Sequence, residues 1–84
     1  MSDQSISARI ERLVHEEHEL RGREERDGTD ADALEGERER LREVEVELDR
    51  CWDLLRQRRA RRSAGQDPDD SSLRNPDTVE HYLQ

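Results

Sequence analysis

The residue types most able to do chemistry cluster at His15-Glu16-Glu17-His18-Glu19. Two histidines three apart, with Glu11 one turn earlier, put imidazole and carboxylate on one helical face, where a divalent cation can be held. The spacing is not that of the zinc proteases, whose histidines stand four apart. Nor is it that of di-iron helices, which repeat Glu-x-x-His on partner helices. Glu11, His15 and His18 are therefore weak metal candidates. A solvated acidic face is the expected reading, and no cofactor is expected.

Cys51 is the only cysteine, so no intrachain disulfide can form. It falls in an apolar stripe and reads as a small buried hydrophobe rather than a reactive thiol. Glu17 interrupts another apolar stripe. A polar residue there can fix register at some cost in stability, and Arg21 or an arginine of a partner chain is within reach. No second carboxylate converges on it. Nucleophilic triads, phosphate-binding glycine loops and zinc knuckles are absent, so no catalytic residue is expected and the chain reads as non-enzymatic.

Arg56, Arg58, Arg59, Arg61 and Arg62 form the one basic stretch. The formal net charge is −8, yet residues 51–64 carry +4 between flanks of −8 and −4. Such a patch on a helix suits an acidic protein surface or RNA. The plainer reading is that Asp67, Asp69 and Asp70 fold back and neutralise it, or that a second copy does. The acidic whole and the lack of interleaved aromatics speak against nucleic acid.

The elements that position these residues follow from spacing. Ile6, Ile10, Leu13, Val14 and Leu20 recur at threes and fours and predict a helix over about 5–26, with Ser5 or Ser7 as its cap. A turn follows at about 27–32. Leu34, Leu41, Val44, Leu48, Cys51 and Leu55 keep a seven-residue repeat and predict a helix over about 33–64, ended by Gly65. Asp32 with Glu35 would cap it, unless Gly36 delays the start.

The two stripes match in antiparallel register. Leu20 with Leu41, Leu13 with Leu48, Ile10 with Cys51 and Ile6 with Leu55 all sum to 61, which centres the turn between Asp30 and Ala31. Helix 1 is then exhausted at Ile6. Arg56 to Ala64 would project beyond it by roughly 13 Å, at the 1.5 Å rise per residue of an α-helix.

Residues 1–65 thus form a coiled-coil-like helical hairpin, and 66–84 a polar tail. Asn75-Pro76 starts a short helix over about 76–83, whose Val79, Tyr82 and Leu83 would dock beside Trp52 and Leu54. The fold class is all-α. With 29% hydrophobic and 45% charged residues and only two aromatics, a seam between helices is expected rather than a globular core. No apolar run approaches the roughly 20 residues that span a bilayer, and no signal peptide is evident. A cytoplasmic location without membrane attachment is expected.

The block Cys51-Trp52-Asp53-Leu54-Leu55-Arg56-Gln57-Arg58-Arg59-Ala60, together with Val14-His15-Glu16-Glu17-His18-Glu19-Leu20 and the ending Tyr82-Leu83-Gln84, resembles a family of short actinobacterial proteins catalogued only as a domain of unknown function. The resemblance covers nearly the whole chain. It implies a helical hairpin and assigns no activity.

These features describe a protein–protein interaction module that pairs with itself as a homodimer, burying the faces around Val14, Val46 and Leu54. The expected interaction surface is Trp52, Leu54, Arg56, Arg58, Arg59, Arg62, Tyr82 and Leu83. The alternative is a regulatory adaptor that presents the arginine helix to an unidentified acidic partner or to RNA.

Overall fold

Ser2 opens the first helix. Its hydroxyl accepts from the Ser5 amide at 3.1 Å, and its own amide donates to Ser5 Oγ at 3.0 Å. This reciprocal pair satisfies two amides that the first turn leaves without carbonyl partners. Helix α1 accordingly spans Asp3–Arg26. It starts ahead of the expected boundary because Ser5 is the inner half of the cap, and the cap itself is Ser2. The computed structural model describes residues 2–26, 28 and 30–83, with side chains described through Val79.

Helix α2 spans Ala31–Ser63. Its cap is Asp30 rather than Asp32: Oδ1 of Asp30 accepts from the Ala33 amide at 3.2 Å. Gly36 stays inside the helix, where a glycine costs about 1 kcal/mol relative to alanine. Gly65 then takes a left-handed φ of 72°. That turn lets the Gln66 amide donate back to the Arg61 carbonyl at 2.7 Å and the Gly65 amide to Arg62 at 3.1 Å. The paired bonds close the exposed carbonyl end, and only glycine adopts this φ without strain.

The tail is more ordered than its polar composition suggests. Asp67 caps a 3-10 turn at Pro68–Asp70, accepting from the Asp69 amide at 2.9 Å. Asn75 caps helix α3, Pro76–Leu83, accepting from the Asp77 amide at 2.9 Å. Pro76 sits where a missing N–H costs nothing. No strand occurs among the described residues, and the molecule is an elongated all-α hairpin of 54 × 25 × 15 Å.

The core is the seam between α1 and α2. Ile6, Ile10, Leu20, Val44, Leu48, Cys51 and Leu54 are buried together, and Leu13, Leu41, Leu55 and Leu73 pack against them partly exposed. Asp3 reaches Arg58 across the pair, and those two numbers also sum to 61. Ion pairs line the flanks: Arg9 with Glu47 at 2.7 Å and Arg40 with Glu16 at 2.7 Å on one edge, Arg21 with Glu45 at 2.9 Å on the other. Solvent-accessible pairs of this kind contribute only about 0–1 kcal/mol each, so they set register more than stability.

The expected bare overhang of α2 does not exist in that form. Helix α1 begins at Asp3, and that carboxylate spans to both Arg58 and Arg62, the latter at 2.8 Å. Residues 66–79 turn back along α2 and cover another side of the same stretch.

Candidate functional site

Helix α2 carries three stripes over residues 44–59. The first, Val44, Leu48, Cys51, Leu55 and Arg58, faces α1. The second, Arg50, Asp53, Leu54 and Gln57, faces the returning tail. The third, Glu45, Asp49, Trp52, Arg56 and Arg59, lies along the remaining side, touched at its start by Arg21 of α1 and bordered at Arg56 by the groove beside the tail.

The tail stripe is organised by Asp53, which has no exposed surface. Its carboxylate accepts two hydrogen bonds from the Arg74 guanidinium, one of them from Nε at 2.9 Å, and a third from Gln57 at 3.0 Å. Burial alone would raise the Asp53 pKa; the hydrogen bonds from Arg74 and Gln57 and the charges of Arg74 and Arg56 more than offset that, so it lies below its ordinary 3.8. Two carbonyls of the tail are also gripped. Gln57 donates to Ser72 O at 2.8 Å, and Arg50 donates to Arg74 O at 3.0 Å. Leu73 and Val79 supply the apolar part of the contact.

Two residues of the expected interaction surface are buried rather than exposed. Leu54 is buried in the core beneath the tail. Arg58 is buried too, and it donates to Asp3 and, at 3.0 Å, to Asp69. Hydrogen bonds to those two carboxylates raise its pKa, while hydrogen bonds from Arg62 and Arg58 lower that of Asp3. Of the three tail aspartates expected to neutralise the arginines, Asp69 pairs with Arg58, and Asp67 caps its own turn. Asp3, at the far end of the chain, supplies the second carboxylate.

The expected docking of α3 beside Trp52 and Leu54 is met at Leu54, which is buried, as is Val79. Helix α3 lies against α2, yet Trp52 is 53% exposed. Arg56, Arg59 and Arg62 are exposed as expected, with Arg62 bound to Asp3. The side chains of Tyr82 and Leu83 lie outside the described residues.

A shallow groove of about 430 Å³ runs between the end of α2 and the tail, lined by Arg56, Gln57, Ala60, Arg61, Ala64, Gln66 and Arg74. It holds no carboxylate in its lining and is the basic face of an acidic molecule.

The histidine cluster forms no cage. Glu11, His15 and His18 line no common position, and His15 Nε2 lies 3.2 Å from Glu19. Among the described residues no three potential ligands converge on a metal position. Cys51 is buried on the seam, and burial pushes its thiol pKa up, which disfavours the reactive thiolate. Glu17 is half-buried, with Arg21 at 4.0 Å.

Sequence reading missed Asp53 and Arg74 as partners. The one available signal was an aspartate placed where α2 otherwise carries arginine.

The family of proteins of unknown function termed DUF2630 matches residues 2–84. The chain belongs to that family. Uncharacterized proteins of Mycobacterium bovis and Mycobacterium tuberculosis, the latter Rv0898c, are 44% identical to it over 81 residues, covering 96% of this chain and 90% of theirs. The actinobacterial resemblance therefore holds, and DUF2630 carries no assigned activity. No solved structure matches the chain. Among the described residues, no helix is long and apolar enough to cross a membrane.

Proposed function

We propose that the protein is a non-enzymatic helical interaction module that associates with itself through the edge carrying Trp52 and Val14. The observation behind this reading is the placement of those two side chains. Trp52 and Val14 are the large hydrophobics left exposed among the described residues, at 53% and 37%. Arg21 and Glu45 meet across one edge of the hairpin. Val14 lies seven residues before Arg21 and Trp52 seven after Glu45, so two turns of helix return both to that edge. The opposite edge carries the Arg9–Glu47 and Arg40–Glu16 pairs.

A tryptophan this exposed contributes little to folding the single chain, whereas indole is among the side chains most enriched where interfaces bind. The tail strengthens the reading. It covers Leu54 and leaves Trp52 open, although both lie on α2.

Light scattering coupled to size exclusion tests the proposal. The chain has a mass of 10.0 kDa, and the native protein is expected at twice that value. Trp52→Ala should return it to the single-chain mass with its helical circular dichroism intact. A native protein that stays at the single-chain mass at high concentration, or a Trp52→Ala variant that associates as the native chain does, would contradict it.

A further inference from the structure

The open stripe of α2 has an order of charge that specifies its own partner. Reading along it, Glu45 and Asp49 precede Trp52, and Arg56 and Arg59 follow. The steps are four, three, four and three residues, the spacing that keeps one helix against another. The stripe is acidic on one side of the indole and basic on the other. Glu45, Trp52, Arg56 and Arg59 are exposed, and Asp49 is half-buried. Neither Asp49 nor Arg59 forms an ion pair within the chain among the described residues. Glu45 accepts from Arg21 at 2.9 Å, an exposed contact that leaves carboxylate lone pairs available.

We propose that two copies of this chain pair α2 against α2 in antiparallel fashion, about a two-fold axis passing beside Trp52. This rests on the self-association proposed above and assigns its geometry. A two-fold at Trp52 lays each residue across from the one equally far on the other side of the indole in the second copy. Arg59 then faces Glu45 of the second copy, and Arg56 stands beside its Asp49. Every such contact occurs twice, because the interface of a two-fold dimer is isologous. The indoles meet at the centre, where burial is worth most, and the ion pairs form the rim.

Parallel pairing would instead place Asp49 by Asp49 and Arg56 by Arg56, an arrangement that like-charge repulsion disfavours. A generic acidic partner would attract Arg56 and Arg59 while repelling Glu45 and Asp49. A second copy of this chain sets an opposite charge near each of the four.

The test uses charge reversal in the full chain. Asp49→Arg alone sets the introduced guanidinium against Arg56 of the second copy, twice over. Arg56→Asp alone sets the introduced carboxylate against Asp49 in the same way. Each is expected to weaken self-association about tenfold or more. An equimolar mixture of D49R and R56D chains brings the two arginines of one chain against the two aspartates of the other, so it should form a heterodimer. The D49R/R56D double variant should recover the homodimer. Analytical ultracentrifugation reads all four samples, and circular dichroism checks that each remains helical.

Should R56D lose helicity, E45R mixed with R59E poses the same question one turn further out. Single variants that stay dimeric, or a mixture of two helical variants that stays monomeric, overturn the antiparallel geometry while native self-association stands. A native chain that is monomeric overturns both.

Discussion

Replacing Asp53 with alanine is expected to cost about 2–3 kcal/mol and to release residues 66–79 from α2. The carboxylate is fully buried and accepts from Arg74 and Gln57. Hydrogen bonds to a charged group contribute about 1.5–3 kcal/mol each. Breaking a fully buried ion pair costs about 3–5 kcal/mol when the surviving charge stays trapped. Here the Arg74 side chain is 37% exposed and can turn to water, which holds the loss near the lower figure. Urea titration should show the drop in stability. Trypsin should cut after Arg74 faster in Asp53→Ala than in the native chain. Unchanged stability and an unchanged cutting rate would show that the tail is held by something other than Asp53.

The same contact dictates the response to acid. Asp53 and Asp3 both have folded-state pKa values below their ordinary 3.8. A group whose pKa is lowered by folding adds stability above its unfolded value and loses it as pH falls through the folded one. Stability should therefore hold down to about pH 4 and fall below it, with the tail released in the same range. Asp53→Asn should flatten that acid limb. An acid limb of the same depth in Asp53→Asn would assign it to other carboxylates.

The second large effect is expected from Ile6→Ala, at about 2–5 kcal/mol, the usual range when a buried isoleucine is truncated and the cavity closes only in part. Ile6 has no exposed surface and lies at the end of α1 that holds Arg58 through Asp3. A chain of this length is stable by roughly 4–13 kcal/mol, so the substitution removes a large part of the total. Leu13, partly exposed on the same stripe, should cost less when truncated. Denaturation of both variants at one fixed protein concentration makes the comparison, since self-association would make stability depend on concentration. A greater loss at Leu13 than at Ile6 would contradict the packing of the seam.

The hairpin was legible in the sequence because its signals are periodic and local. Spacings of three and four, one turn rich in aspartate and glycine, and a single register sum place both helices. The Asp3–Arg58 contact falls on that same sum although neither residue is apolar. The tail was legible only as far as its turns. Asn75-Pro76 announces a helix start through local backbone chemistry. Where that helix docks depends on Arg74 reaching Asp53, and no periodicity links a charge on α2 to one in the tail.

For the same reason, composition does not tell neighbouring arginines in one run apart. Arg58 lies on the seam stripe and is buried between two aspartates, whereas Arg59 turns outward one position later. Leu54 lies off the seam of the hairpin, and its expected neighbour is the tail helix; the burial it gains there takes it off the exposed surface. Trp52 has no partner in the hairpin register, and the fold leaves it in that position.

Trp52 is the single tryptophan, so its fluorescence reports on that one position without labelling. The decisive measurement is its emission maximum across a wide dilution series of the native chain. Self-association through the Trp52 edge predicts blue-shifted emission at high concentration, moving to the water-exposed value as the protein is diluted. Emission that stays at the water-exposed value over the whole range, or that stays constant while light scattering reports association, would contradict it.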